Sequence, residues 1–209
     1  PILLVLGLIY FTKGPTPETA TRLANATPPE TASQPADSTP AEATPQPTNP
    51  TSALGWSLGN PNASTILVEF SDYQCPRCAD YHPMIKRLTE ELGDDFLFVF
   101  RYYPLRQHDK AILAAASAEA AGRQGKFWEM HDLLFLGQKM WSEKTPAEAE
   151  KIFVQYAISL NLNAEQFQNA LHSQEILDKT TYDYQMGRRS GVTGTPTFFL
   201  NGQKITDRP

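Results

Sequence analysis

Residues 65–92 read TILVEFSDYQCPRCADYHPMIKRLTEEL, and the order of elements in this stretch decides the fold. The first part, Thr65–Phe70, is an apolar run with one acid, which predicts a buried strand. A short polar loop follows, and the stretch from Cys75 to Leu92 predicts a helix that Gly93 closes as its C-cap. The sequence therefore predicts a strand, a loop and a helix, with a cysteine at the start of the helix.

The rest of the body reads as one more strand, a series of helices and a hairpin. Residues 96–103, FLFVFRYY, are aromatic and β-branched and predict a strand parallel to the first, joined by a right-handed crossover. Helices are predicted at 109–122, 127–135, 146–160, 164–171 and 175–190, and strands at 196–200 and 203–206 on either side of an Asn201-Gly202 turn. We therefore expect an α/β domain built as β-α-β, a helical insertion and a β-hairpin.

The two ends of the chain differ from the body in composition. Residues 1–11 are apolar and are interpreted as the remnant of a membrane anchor or signal segment, with an uncleaved anchor favoured. Residues 12–55 are rich in Pro, Thr and Ala and predict a disordered linker. The body is expected to comprise an N-terminal part (56–105), an inserted helical subdomain (106–190) and a C-terminal part (191–209).

We expect the chain to be a fragment at both ends. It does not begin with Met, and the predicted hairpin lies close to the last residue. A sheet that ends in a hairpin normally has one face covered by a further element. The sequence therefore predicts that a C-terminal helix is truncated.

Charge and cysteine content narrow the classes of function. The formal net charge of -5 argues against a nucleic-acid partner, which favours a basic face. Only two cysteines are present, and both lie in a single C-x-x-C. Because this pair closes no large loop, it is interpreted as functional and not as part of a disulfide framework.

The sequence Cys75-Pro76-Arg77-Cys78 is interpreted as a redox centre because of where it lies. Backbone N–H groups and the positive end of the dipole at a helix N-terminus stabilise a thiolate and lower its pKa. Pro76 suits the first turn, and Arg77 adds a cation beside the sulfur. We predict that Cys75 is the nucleophile and that Cys78, one turn inside the helix, is the resolving thiol.

A single C-x-x-C also admits other interpretations. Zinc usually needs a second pair, although His82 could supply a further ligand to the two cysteines. Haem attachment requires His directly after the second cysteine, where this chain has Ala79. Two reduced core cysteines are a further alternative. The helix start favours redox chemistry, and no metal ligand or cofactor is predicted.

Two further positions are candidates for the same site. Glu69 is the one acid of its strand, and is interpreted either as a buried carboxylate that relays protons to Cys78 or as an exposed strand residue. Thr195-Pro196 follows a run of small residues and begins a strand, which suits a tight turn and allows a cis bond. His108 could face the site as well, although a surface or capping role is favoured for it.

In combination, these motifs resemble the DsbA-like thioredoxin-fold oxidoreductases, and most closely their membrane-tethered bacterial forms. The resemblance rests on the C-x-x-C after a strand, the helical insertion, Gly125-Lys126-Phe127-Trp128 and the late Gly194-Thr195-Pro196-Thr197-Phe198. It implies a thioredoxin-like fold, interrupted by the helical subdomain, and extends over about residues 56–205.

The resemblance also implies roles for individual residues. Thr195 and Pro196 would form a cis-proline loop that faces the disulfide and binds an extended client segment through the Thr195 backbone. Pro83 would match the kink proline of the active-site helix, and Glu69 the buried acid. The implied partners are reduced exported proteins and a membrane quinone-linked thiol oxidase that restores the disulfide, with the chain acting as a monomer.

The direction of electron flow is predicted from the chemistry of the Cys75–Cys78 pair. Stabilising the Cys75 thiolate stabilises the reduced form, so the disulfide becomes more oxidising. Together with the apolar N-terminal run, this favours a dithiol oxidase in the periplasm or on the outer face of the cell membrane. A reductase or isomerase in the same compartment, and a non-redox peptide-binding or metal-delivery module, are the alternatives.

Overall fold

A computed structural model describes residues 55–206 of the chain. The predicted anchor remnant (1–11), nearly all of the predicted linker (12–55) and any C-terminal helix lie outside the described residues. Among residues 55–206, no helix combines the length and the hydropathy needed to cross a membrane.

The centre of the described domain is a five-stranded sheet with the order β1-β3-β2-β4-β5. Its strands are β1 (Trp56–Gly59), β2 (Thr65–Ser71), β3 (Phe96–Tyr102), β4 (Thr197–Leu200) and β5 (Gln203–Lys204). β2 and β3 run parallel, as the crossover predicted, and the other pairs are antiparallel. Strand β1 was not predicted, because four residues ending in glycine show too little alternation of apolar and polar side chains. The predicted strand at 203–206 is two residues longer than β5.

The helices follow the predicted order closely. They are α1 (Pro76–Leu92), α2 (Ala111–Gly122), α3 (Phe127–Leu136), α4 (Gln138–Trp141), α5 (Pro146–Ser159), α6 (Ala164–Leu171) and α7 (Gln174–Arg189). α1 continues through Pro83 and ends at the left-handed Gly93. The short α4 was not predicted. The predictions succeed where caps are local: Thr145 and Glu148 form the capping box of α5, and the Asn163 side chain caps α6.

The alternation of side chains along the sheet separates two apolar cores. On β3, Phe96, Phe98 and Phe100 face the core that contains the two cysteines, whereas Leu97 and Val99 face the other. On β2, Leu67 faces the cysteine side, whereas Val68 and Phe70 face away from it. Because side chains alternate, Glu69 and Ser71 lie on the Leu67 face, beneath α1.

A buried ion pair ties the sheet to α7. Arg101 of β3 and Asp183 of α7 have fully buried side chains, and Arg101 Nη1 lies 3.0 Å from Asp183 Oδ1. The other Asp183 oxygen accepts hydrogen bonds from the Tyr102 backbone N–H and from Lys179 Nζ. Asp183 therefore joins the return segment of the fold to the strand that pairs with β2.

We predict that Asp183→Ala lowers the free energy of unfolding by about 3–5 kcal/mol, since it removes a fully buried carboxylate that pairs with both Arg101 and Lys179. Urea unfolding measures this change. Glu175→Ala is the matched control, because it breaks a largely exposed pair with Arg123 and should change stability little. Equal effects of the two substitutions on the free energy of unfolding would contradict the stabilising role of the buried Asp183 carboxylate.

Candidate active site

The loop between β2 and α1 holds Cys75 at the start of the helix. The backbone N–H of Cys75 donates to the Asp72 carbonyl over 3.0 Å, and the Gln74 N–H donates to Asp72 Oδ1 over 2.8 Å. Cys75 is the N-cap residue, with φ -75° and ψ 120°, and Pro76 occupies the first turn. The sulfur therefore lies where the first backbone N–H groups of α1 have no partner within the helix.

The fold brings the predicted residues of both halves of the chain together. Cys75 Sγ lies 3.5 Å from the carbonyl oxygen of Thr195, 120 residues away in sequence. The Thr195–Pro196 peptide bond is cis, as the resemblance implied. Both cysteines are free thiols; Cys75 is 6% exposed and Cys78 is fully buried.

The two sulfurs differ in ionisation. The Cys78 thiol, by hydrogen bonding to Cys75, is the largest influence that lowers the pKa of Cys75, which falls to about 5. Burial opposes this shift, whereas Thr195 and the backbone N–H groups of Cys78 and Arg77 support it. Cys75 is therefore a thiolate at neutral pH, in a form suited to attack a disulfide.

Cys78 shifts in the opposite direction. Burial is the largest influence that raises the pKa of Cys78 well above its ordinary value, and the hydrogen bond and charge of Cys75 add to it. One proton is thus shared within a pair of sulfurs that titrate together. Cys75 carries the charge and Cys78 keeps the proton, the arrangement that the predicted order of attacking and resolving thiol requires.

Glu69 is buried beneath the pair. It is 3% exposed, and burial raises its pKa to about 7, with a further contribution from the charge of Cys75. The Ser71 hydroxyl lowers the pKa of both Glu69 and Cys78, although it forms no hydrogen bond of ordinary geometry among residues 55–206. Ser71 was not predicted. Its position two residues after Glu69, on the same strand face, is the pattern that would have found it.

Arg77 acts differently from the sequence expectation. Its side chain is exposed, and its contribution to the Cys75 thiolate comes from its backbone N–H. The side chain instead lines a cavity of about 420 Å³ between α1 and β4. This cavity, the cis-proline groove, is bordered mainly by apolar and aromatic side chains: Tyr81, Met84, Ile85, Leu88, Pro196 and Phe198.

Two residues from outside β2 and α1, His108 and Gln138, hold the loop. The sequence left a role at the site open for His108 and did not identify Gln138. Asp72 Oδ2 accepts hydrogen bonds from the Leu105 N–H and from His108 Nδ1, both over 2.8 Å. The bond to Asp72 raises the pKa of His108, and the charge of Cys75 also contributes. From α4, buried Gln138 donates its amide to the Cys75 carbonyl over 2.9 Å. His108 therefore faces the site, which was the less favoured of its two predicted roles.

Comparison with known proteins gives one family. The family model described as "Thioredoxin" matches residues 51–209, a region that includes every candidate residue of the site.

The chain is also similar to part of several longer curated proteins. It is 34% identical over 149 residues to a protein named Na(+)/H(+) antiporter NhaA 1 from Mycobacterium sp. (strain KMS), which covers 70% of this chain and 23% of that protein. It is 37% identical over 147 residues to an antiporter of the same name from Salinispora arenicola, covering 70% and 21%. The chain thus spans less than a quarter of the length of these relatives.

Solved structures show the same fold. BdbD from Bacillus subtilis, in its oxidised form, has a TM-score of 0.67 and 23% identity, with 76% of this chain and 88% of that chain covered. A thioredoxin-like oxidoreductase from Silicibacter pomeroyi has a TM-score of 0.63 and 24% identity, covering 76% and 86%. MdbA, a thiol-disulfide oxidoreductase from Corynebacterium diphtheriae, has a TM-score of 0.61 and 19% identity, covering 74% and 85%.

The raised pKa of Glu69 predicts a pH-dependent stability. Its folded value of about 7 exceeds the ordinary 4.5, so the folded state binds the proton more tightly than the unfolded chain. The stability this confers is complete below about pH 4.5 and is lost as the pH rises through about 7, a difference of about 3 kcal/mol. Glu69→Gln cannot ionise. Relative to wild type, we expect it to gain about that amount between pH 4 and pH 8 in urea unfolding.

Glu165→Gln is the control for this measurement, since Glu165 is exposed on α6. It should show little change over the same pH range. A Glu69→Gln profile parallel to that of wild type would show that Glu69 ionises normally, against the buried carboxylate described above.

Proposed function

The chain belongs to the thioredoxin family, and on that basis we propose that it exchanges thiols and disulfides outside the cytoplasm, as a dithiol oxidase that donates a Cys75–Cys78 disulfide to exported proteins. The family match and the structural likenesses confirm the predicted thioredoxin-like fold and the resemblance to DsbA-like proteins. Antiport, which the curated relatives' names describe, is not part of the proposal, because this chain spans less than a quarter of their length.

One arrangement carries the proposal: two free thiols lie one helical turn apart, with Cys75 at the start of α1 beside the cis Thr195–Pro196 bond and Cys78 fully buried. The pKa of Cys75 is lowered to about 5, whereas the pKa of Cys78 is raised. Such a pair has one sulfur that leaves or attacks easily and one that is protected. Two structural cysteines in a core have no need of this asymmetry.

The reaction follows from the asymmetry. A client thiolate attacks Cys75 Sγ of the oxidised pair, the Cys75–Cys78 bond breaks, and Cys78 leaves as a thiolate. A second client thiolate then attacks the client sulfur of the mixed disulfide and releases the Cys75 thiolate. The client loses two electrons and gains a disulfide, and the protein is left with both thiols. Stabilisation of Cys75 as a thiolate makes it a good leaving group in the second step.

Glu69 has the properties needed for the proton in the first step. Cys78 leaves as a thiolate in a buried place where its pKa is raised, so it must take up a proton. A carboxyl with a pKa of about 7 is partly protonated at neutral pH and can supply that proton. Ser71, whose hydroxyl influences both groups, lies on the same face of β2 and supports this route.

The surroundings of Thr195 suit an extended client. Its carbonyl faces Cys75 at the edge of the cis-proline groove, next to Pro196. A client segment that pairs with this backbone would place its cysteine beside Cys75 and its apolar side chains in the groove. Unfolded exported proteins expose both features, so we propose them as the clients, with the chain acting as a monomer.

Location and the reoxidising partner remain part of the proposal. The apolar run of residues 1–11 and the Pro/Thr-rich stretch after it support a membrane-tethered protein in the periplasm or on the outer face of the cell membrane. In that setting, a quinone-linked thiol oxidase in the membrane would remove the two electrons from the reduced pair. A reductase or isomerase is the alternative, and a higher-potential pair favours oxidation over both.

We predict that Cys78→Ser forms stable mixed disulfides with a disulfide-containing protein, because the Cys75 thiolate still attacks and nothing resolves the product. Cys75→Ser should form none, and both variants should lose oxidation of a reduced, unfolded protein. Non-reducing electrophoresis detects the adducts, and free-thiol assay follows oxidation. His172→Gln serves as the control. His172 has an exposed side chain and lies far from the cysteine pair in sequence, so this variant should retain activity.

Two results would contradict the proposal. Adducts formed by Cys75→Ser in place of Cys78→Ser would reverse the roles of the two sulfurs. No oxidation by the wild-type disulfide would contradict the oxidase, and the absence of mixed disulfides from either variant as well would favour a non-redox binding module on the same fold.

A further inference from the structure

A cluster of metal-ligating side chains lies between α1 and α3, apart from the cysteine pair. It consists of His82 from α1 and of His131 and Asp132 from α3. One possible ligand atom from each of these residues lies within 4.8 Å of those from the other two. Among residues 55–206 no second group of this kind is found. We propose that these three side chains bind one divalent transition-metal ion, zinc in the first instance.

The donor set and its spacing fit such an ion. Two imidazoles and one carboxylate are ligands that zinc takes in three-residue sites, with the fourth position open to water. His82 Nε2 and Asp132 Oδ1 are 2.8 Å apart. Ligand bonds of about 2.0–2.1 Å in a tetrahedron place ligand atoms about 3.3 Å apart, so only a small separation of the two side chains is needed.

His131 is positioned to offer one ring nitrogen to an ion. Its side chain is buried on α3, and its ring lies 5.3 Å from the ring of His82, measured between centroids. His131 Nδ1 lies 3.0 Å from the Tyr73 hydroxyl, which leaves Nε2 for a metal. A hydrogen bond on the second ring nitrogen is the usual partner of a metal-binding histidine.

An ion can reach the cluster. All three side chains line one cavity of about 80 Å³, whose other walls include Trp128, Phe98 and Thr89. The Asp132 side chain is 31% exposed, so the cavity opens towards solvent on that side. The site thus combines two buried nitrogen ligands with an accessible carboxylate and room for a water molecule as the fourth ligand.

The charge of Lys86 disfavours binding of a cation, so removal of this lysine distinguishes a metal site from a purely structural network. Its Nζ lies 2.6 Å from Asp132 Oδ2, where its charge repels a cation. Its side chain is 51% exposed and can move into water. A purely structural network of His82, Asp132 and Lys86 would be weakened by loss of the lysine. A metal site would instead bind its ion more tightly, because a repelling charge is gone.

The proposed ion lies beside the redox pair without involving it. His82 follows Cys78 by one helical turn on α1, and α3 belongs to the helical subdomain. Metal binding would therefore brace the helix that carries the cysteines against the insertion. The cluster does not include either cysteine, so it differs from the alternative in which His82 completes a site with the C-x-x-C pair.

The test uses a double variant, Cys75→Ser with Cys78→Ser, so that thiols cannot bind metal. After treatment with a chelator, the full chain is titrated with zinc sulfate in a calorimeter, and Co²⁺ is added in parallel to record the visible absorption of four-coordinate cobalt. We expect one zinc per chain and a rise in melting temperature with zinc. Because the double variant has no redox activity, the result is independent of the proposed oxidase function.

Variants made in the same background identify the ligands. Asp132→Asn should weaken zinc binding at least about tenfold, whereas Lys86→Ala should tighten it about fivefold. His172→Gln, an exposed histidine paired with Glu150, should leave it unchanged. If His131→Asn fails to fold, the Asp132 and Lys86 variants still show whether the three side chains bind zinc. The proposal is overturned by no binding up to about 100 μM zinc, by binding that Asp132→Asn leaves intact, or by weaker binding in Lys86→Ala.

Discussion

A negative charge on the nearly buried sulfur of Cys75 is the constraint on which the rest of this structure depends. A charge so poorly exposed must be compensated by hydrogen bonds. The compensation comes from the Cys78 thiol and from backbone N–H groups that are free only at a helix start. The loop from β2 and the N-cap position of Cys75 place the sulfur at that point.

Burial raises the pKa of Cys75, Cys78 and Glu69 alike, and hydrogen bonds decide which of them is charged. Cys75 is charged at neutral pH, whereas Cys78 and Glu69, on the inner side, are pushed towards their protonated forms. The site therefore separates the sulfur that meets the client from the groups that hold protons. This separation is a property of depth in the fold, since β2 runs directly beneath the first turns of α1.

Local patterns carried most of what the sequence could predict. Strand β2, helix α1 and the cap residues Thr145 and Asn163 depend on neighbours a few positions away, so they were found. Other features depend on distant partners. The contacts of His82 with Asp132 and of Tyr73 with His131 span 50 and 58 residues, and a single sequence does not show such pairings. Likewise, the main influence on Cys75 is its partner thiol, whereas Arg77 had been expected to act through its side chain.

The reduction potential of the Cys75–Cys78 pair tests the central claim most directly, measured by equilibration with glutathione at about pH 7. A nucleophile with a pKa of about 5 lies about two units below that of thioredoxin, which stabilises the reduced form by about 2.7 kcal/mol and raises the potential by about 60 mV. The account therefore predicts about -210 mV or higher, against about -270 mV for thioredoxin. A value at or below about -270 mV would contradict it.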